Sequence, residues 1–72
     1  MTHEYGTAAY HHQQVLDWED ILCGWRRHLR NDLRKGDAVE IARTVEHIAH
    51  AANALQEHAE KLLADTINEA AA

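Results

Sequence analysis

Apolar residues recur at spacings of three and four through the first half of the chain. They are Val15, Trp18, Leu22, Trp25, Leu29 and Leu33. At ~100° per residue these positions form one stripe along a helix, with Ile21 at its edge. The stripe ends at Lys35 and Gly36, and a cation followed by glycine is a typical helix end. The pattern therefore predicts a first helix over about 8–35, with Thr7 as its N-cap.

A second helical pattern begins after the turn at Gly36. Asp37 can cap it, and Glu40 stands at the capping-box position. Large residues recur every seven positions, and a row of mostly small residues is interleaved with them. The large row is Ile41, Ile48, Leu55 and Leu62, and the small row is Ala38, Val45, Ala52, Ala59 and Thr66. This heptad predicts a second helix over about 37–68. Residues 1–6 and 70–72 are expected to be loosely ordered, with Thr2 as the alternative first cap.

A turn of about two residues requires the two helices to run antiparallel. Residues whose numbers sum to roughly 72 then lie level with each other. Trp18 is expected near Ala54, and Trp25 near His47 and Ile48, so that large side chains meet small ones. The predicted fold class is all-α, an antiparallel two-helix hairpin that forms one domain over residues 1–72.

The apolar surface of both helices exceeds what two helices can hide from water. Cys23 is the only cysteine, so no disulfide within the chain can compensate for the small core. We expect two hairpins to form a four-helix bundle, and the alternative is a monomer with a third element made by residues 1–12. The residues expected to support self-association are Trp18, Leu22, Trp25, Leu29, Ile41, Ile48, Leu55 and Leu62. At the level of architecture, such a hairpin resembles the Rop-type RNA-binding hairpin dimer.

Charge is unevenly distributed in this chain of net charge −5. Six of the seven cations fall within residues 26–43, among only three acidic residues. These six, which we call the basic tip, are Arg26, Arg27, Arg30, Arg34, Lys35 and Arg43. The spacing of Arg26, Arg30 and Arg34 places like charges one turn apart, where they repel each other. A basic tip favours docking on an acidic protein surface or on nucleic-acid phosphates. The alternatives are a solvated helix end that suits the helix dipole, or self-assembly with the tip of one hairpin beside the acidic open end of another.

Histidine is frequent in this sequence, at positions 3, 11, 12, 28, 47, 50 and 58. His47 and His50 are about one turn apart and, with Glu46, are the weak candidates for a metal site. The spacings of di-iron helices, CxxC and HExxH are absent, so neither a metal nor another cofactor is expected. His47, His50 and His58 are placed on the flank and back of the second helix. The alternatives are a plain polar face or a pH-sensitive interface, since unperturbed histidines titrate near ~6.5.

The sequence contains no serine, no glycine-rich phosphate loop and no recognisable catalytic spacing. Trp18 and Trp25 suit a core, or a hot spot for a partner. Cys23 is interpreted as a partly exposed, non-catalytic thiol whose pKa Arg27 could lower. Gly24 lies inside the first helix. Either the helix tolerates a residue without a side chain there, or another backbone approaches closely at that position.

These observations predict a small non-enzymatic protein-binding module, a regulator, adaptor or inhibitor of the kind that phages and mobile elements often encode. Its expected partners are itself and a protein with an acidic surface. The alternatives are a nucleic-acid-binding regulator that uses the Arg26–Arg43 tip, and a histidine-based metal-binding bundle. No apolar run approaches the ~20 residues that span a bilayer, and the first residues lack a signal-peptide pattern. A cytoplasmic location without membrane attachment is expected.

Overall fold

A computed structural model of the protein describes residues 7–71, which form two helices joined by a tight turn. Helix α1 spans Ala8–Lys35 and helix α2 spans Ala38–Ala71. The predicted all-α hairpin and the bounds of α1 are confirmed. Helix α2 continues three residues beyond its expected end at 68, so residues 70 and 71 are helical. The expectations for residues 1–6 and Ala72 lie outside the described residues.

Helix α1 begins and ends at the predicted caps. The Thr7 hydroxyl accepts a hydrogen bond from the backbone N–H of Tyr10 at 3.2 Å. At the other end, Gly36 adopts a left-handed conformation with φ of 72°, and its N–H donates to the carbonyl of Asp32 at 2.9 Å. A side chain at position 36 would be strained at this φ, so the glycine makes the tight reversal possible.

Helix α2 is capped by Asp37, as predicted. The Oδ1 atom of Asp37 accepts hydrogen bonds from the N–H groups of Val39 and Glu40 at 3.1 and 3.2 Å. The Glu40 carboxylate pairs with Arg43 at 3.3 Å. The two caps leave only Gly36 and Asp37 between the helices, and this short connection requires α1 and α2 to pack antiparallel.

The predicted pairing of Trp25 with His47 is confirmed by a ring contact. The rings of Trp25 and His47 are stacked, with centroids 4.1 Å apart and planes within 7° of parallel. Trp18 meets His50 edge to face, with centroids 5.8 Å apart, one turn of α2 from the Ala54 expected at this level. Both tryptophans are partly buried in the helix interface.

The face that α2 presents to α1 differs in part from the predicted heptad. The large row packs against α1 and is partly buried, but the interleaved row named from the sequence is exposed. The row that actually faces α1 lies one position earlier, and three of its four members are polar. We call the whole face the inner seam: Ile41, Thr44, Ile48, Ala51, Leu55, His58, Leu62 and Asp65.

A second heptad runs along α2 with spacings that alternate between four and three. We call it the outer seam: Ala38, Ala42, Val45, Ala49, Ala52, Gln56, Ala59, Leu63, Thr66 and Ala70. All ten residues are exposed. The small row expected from the sequence to share one seam with Ile41 and Leu55 belongs to this outer seam.

The hairpin is one layer thick. Its dimensions are 53 × 22 × 14 Å, and its radius of gyration is 15.8 Å, whereas a compact domain of this length would have about 11 Å. Ala51, 1 % exposed, is the single fully buried apolar residue among residues 7–71. The helix interface is therefore shallow, and its large side chains keep one edge in water. Within residues 7–71, neither helix combines the length and apolarity that crossing a membrane requires.

Candidate functional site

A buried carboxylate joins the helices near the turn. Asp32 is 4 % exposed and Thr44 is 2 % exposed, and the Thr44 hydroxyl donates a hydrogen bond of 2.6 Å to Asp32 Oδ2. The Nε2 atom of His28 lies 3.7 Å from the same oxygen. A buried carboxylate is costly unless it is hydrogen-bonded, so this contact requires Thr44 to face α1.

A second polar contact joins the helices at the open end of the hairpin. The Nδ1 atoms of His11 and His58 are 3.0 Å apart, and His11 Nε2 lies 3.4 Å from Asp65 Oδ2. Tyr10 packs edge-on against both imidazole rings. If His11 donates its Nε2–H to Asp65 while neutral, its Nδ1 must accept from His58. The contact between the two Nδ1 atoms therefore needs one nitrogen as donor and the other as acceptor.

The position of His58 corrects a sequence-based expectation. His11 and His58 meet because their numbers sum to roughly 72, the sum expected for level residues, but His58 is partly buried in the inner seam. The expected seam, which contained Ala52 and Ala59, placed His58 on the flank and back of α2. The missed signal is the seven-residue repeat of Thr44, Ala51, His58 and Asp65, whose polar members match buried polar groups on α1.

The side chains of the three weak metal candidates do not converge on a point where one metal ion could bind. His47 is stacked on Trp25, and His50 lies against Trp18. No contact between Glu46 and either ring is found, and no three histidine, cysteine or acidic side chains within residues 7–71 are placed to hold one ion. The two histidines instead extend the tryptophan packing on one side of the inner seam.

The arginines of α1 project into solvent away from the helix interface. Arg26, Arg27 and Arg30 line a shallow depression together with Cys23. Within residues 7–71, Arg43 is the one member of the basic tip that forms an ion pair, with Glu40. Asp32, one of the three acids of the tip, is buried against Thr44. Asp32 therefore forms no ion pair with the arginines of the tip.

Cys23 lies beside this arginine group but is not activated by it. Its Sγ donates a hydrogen bond of 3.3 Å to Glu19 Oε1. This bond and the charge of Glu19 raise the pKa of the thiol, and they outweigh the opposite effects of Arg26 and Arg27. Arg27 acts to lower the thiol pKa, as expected, but Glu19 reverses the net direction; the partial exposure of Cys23 is confirmed. The thiolate, which is the nucleophilic form, is disfavoured.

An exposed ion pair adds local support near the open end. Lys61 Nζ lies 3.1 Å from Glu57 Oε1. The hydrogen bond and the charge of Lys61 lower the pKa of Glu57. Because both side chains are exposed, the pair adds little to stability.

Gly24 has open space around it. A Cβ added at Gly24 would meet no atom within 4 Å. Of the two interpretations of Gly24, the described part of the chain agrees with the first: the helix tolerates a residue without a side chain, and no other backbone lies close to it. Gly24 also lines a second shallow depression, with Ile21, Trp25 and His28.

The surfaces available for function are thus the basic tip, the outer seam and the tryptophan–histidine side of the interface. The described residues offer no deep pocket, since both depressions are open to solvent. No protein-family model matches the sequence, and no curated protein or solved structure shows significant similarity to the chain.

Proposed function

We propose that this protein is a non-enzymatic protein-binding module that works as a self-associated hairpin, in a four-helix bundle, and docks on an acidic partner. The basic tip is its partner-binding surface. The observation that carries the proposal is the group of four exposed arginines on α1, at positions 26, 27, 30 and 34, without an ion pair to any described carboxylate.

A partner can remove the repulsion between the unpaired arginines. Arg26, Arg30 and Arg34 repel each other by a few tenths of a kcal/mol per pair. An acidic surface replaces this repulsion with charge-assisted hydrogen bonds, for which the planar guanidinium is well suited. Such complementarity mainly increases the association rate and the specificity.

Self-association is supported by the shape of the hairpin. A layer 14 Å thick leaves large apolar side chains in water. Those most exposed are Leu33, Val39, Leu63 and Ile67, and Leu16, Ile21 and Val45 are exposed as well. A second hairpin can cover some of them, which is the usual solution for helical chains of this size.

A nucleic-acid partner is the second candidate, because the same guanidinium groups fit phosphates. Six cations are concentrated in residues 26–43, which favours it, whereas the net charge of −5 opposes it. An acidic protein surface therefore ranks first.

The test is recovery of the partner from the native host with tagged wild-type protein and two variants. Reversing Arg26, Arg30 and Arg34 to glutamate should abolish binding without loss of helix, because the three side chains are exposed. Replacing the same three residues by lysine keeps the charge and should retain most of the binding. Rising salt should weaken the wild-type complex.

Each outcome of this experiment assigns the surface. A recovered protein that binds the glutamate variant as tightly as wild type would contradict a role for the basic tip. Recovery that nuclease treatment abolishes would favour the nucleic-acid alternative. Loss of the oligomeric state in the glutamate variant would assign the tip to self-assembly.

A further inference from the structure

The outer seam of α2 is an apolar face without a partner in the hairpin. Of its ten positions, six are alanine, one is Val45 and one is Leu63, and the two polar positions are Gln56 and Thr66. The seam carries no charged residue over 33 residues, although charges are frequent elsewhere on α2. A solvent-facing helix side normally contains charges, so this face is suited to contact with protein.

The direction of the outer seam matches the geometry of a bundle. At ~100° per residue, its mean direction lies roughly 100° round the helix from the inner seam. In a four-helix bundle each helix has two neighbours, which lie roughly 90° apart around it. Helix α2 thus has one face for α1 and one for a further helix.

We propose that the occupant of the outer seam is the outer seam of a second copy of this chain, packed antiparallel about a two-fold axis near Ala52. This inference rests on the self-association in the proposed function and names its surface and register. The axis places residues level when their numbers sum to about 104.

Antiparallel pairing matches large residues with small ones. Val45 then faces Ala59 of the second copy, and Leu63 faces Ala42. Ala52 meets its own equivalent at the axis, where two small residues allow the helices to approach closely. Parallel pairing would instead place Val45 on Val45 and Leu63 on Leu63, with gaps at the alanine layers between them.

The distribution of charge along the hairpin also favours antiparallel pairing. The described open end of α2 carries Glu57, Glu60, Asp65 and Glu69 against Lys61 alone. Antiparallel pairing brings this acidic end of one copy beside the basic tip of the other, whereas parallel pairing would bring the two basic tips together.

The available area suits a weak dimer. The axis near Ala52 pairs residues 38–66 of the two copies, a strip about 43 Å long and ~10 Å wide. The pairing therefore buries about 430 Å² per chain, or about 900 Å² in total, which is in the range of weak interfaces. Exposed residues of α1 that border the seam would add to this area.

Cysteine pairs test the register directly, in a background in which Cys23→Ala removes the native thiol. Under mild oxidation, Ala52→Cys should cross-link with itself. Val45→Cys and Ala59→Cys should each cross-link poorly alone but efficiently when mixed. Strong self-linking of Val45→Cys and Ala59→Cys, without a mixed product, would show parallel pairing and overturn the proposed register.

A charge substitution tests the surface with a matched control. Ala52→Glu should lower the mass seen by light scattering at micromolar concentration to the 8.2 kDa of one chain, because it places two like charges at the axis. Ala64→Glu, at a position that is also exposed but lies off the outer seam, should leave the mass of the wild type unchanged.

The outcomes separate this inference from the proposed function. A wild-type protein that is monomeric would overturn both. A wild-type dimer that survives Ala52→Glu and does not form the Val45–Ala59 cross-link would overturn only the outer-seam interface. If Ala52→Glu also reduces helicity, the cysteine pairs, which leave the seam apolar, still decide the register.

Discussion

Two rows of helix α2, one position apart in sequence, have opposite compositions and opposite environments. The inner-seam row is mostly polar, yet it lies against α1: Thr44, Ala51, His58 and Asp65. The outer-seam row is mostly apolar, yet it is exposed: Val45, Ala52, Ala59 and Thr66. Hydrophobicity alone would place the second row, not the first, beside the large aliphatic residues of the inner seam.

The difference shows what sets the rotation of α2 about its own axis. Asp32 and His11 are buried on α1, and each needs a polar partner across the interface. Thr44 is the partner of Asp32, and His58 and Asp65 are the partners of His11. An unpaired buried polar group costs about 1–3 kcal/mol, which exceeds the gain from burying one more alanine. Polar pairing at the two ends of the hairpin thus favours the row of Thr44, His58 and Asp65 as the one that joins the large aliphatic row against α1.

Matched aspartate substitutions in the two seams should have the largest effect. Leu55→Asp places a charge in the inner seam and should cost at least about 3 kcal/mol, enough to unfold a hairpin of this size. Leu63→Asp, at a side chain 63 % exposed, should keep the helical circular dichroism and lower only the mass seen by light scattering. Equal loss of helix in both variants would contradict the distinction between the seams.

Matched threonine substitutions should have the next largest effect. Thr44→Val leaves Asp32 buried with only His28 near it, and should lower the free energy of unfolding by about 1–3 kcal/mol. Adding Asp32→Leu should recover much of this loss, because neither polar group then remains. Thr66→Val in the outer seam should change the free energy of unfolding by less than about 0.5 kcal/mol. Urea titration measures all three, and equal effects of Thr44→Val and Thr66→Val would exclude polar control of the rotation.

The glycines provide a comparison away from both seams. Gly24→Ala should raise the free energy of unfolding by about 0.5–1 kcal/mol, because the position is helical and nothing lies within 4 Å of the added Cβ. Gly36→Ala should lower it, because φ is 72° at that position. A Gly24→Ala variant that is more stable but binds its partner less would show that a partner backbone approaches there.

The reactivity of Cys23 should show a smaller, local effect. Because Glu19 raises the thiol pKa, the midpoint of alkylation rate against pH should lie above that of an unperturbed thiol. Glu19→Gln removes the charge, and should lower the thiol pKa and increase the rate of alkylation at neutral pH. Glu46→Gln on the other helix is the control. A lower alkylation rate in the Glu19 variant would exclude Glu19 as the cause.

Metal removal should have no effect on either seam. Circular dichroism of tag-free protein is expected to be unchanged by excess chelator, since the sequence lacks the ligand spacings of known helical metal sites. A loss of helix on chelation that zinc or iron restores would promote His47, His50 and Glu46 to metal ligands.

The sequence was a good guide to local structure and to register. Thr7, Gly36 and Asp37 act on backbone groups a few residues away, so their effect is local and could be predicted. The short turn then required the antiparallel arrangement, and the level pairing of Trp25 with His47 followed from it. The exposed arginines were also predictable, because they lie off the apolar stripe.

The buried polar groups were not predictable in the same way. Asp32 was counted as a charge of the basic tip, and His58 was placed away from the seam. Their burial depends on partners far away in sequence, which no periodicity reports. The direction of the pKa shift of Cys23 was missed because Glu19 hydrogen-bonds to the thiol, a geometry that residue types alone do not fix.

The sequence by itself determined two helices, their caps, the turn and the level at which residues meet, because these follow from short-range backbone chemistry and helical periodicity. Only the tertiary structure decided which of two rows on α2, one position apart, accompanies the large aliphatic row against α1. That choice depends on hydrogen bonds between residues 12 and 47 positions apart, Asp32 with Thr44 and His11 with His58. Both rows satisfy the helical period equally well, but only one satisfies the polar groups that α1 buries.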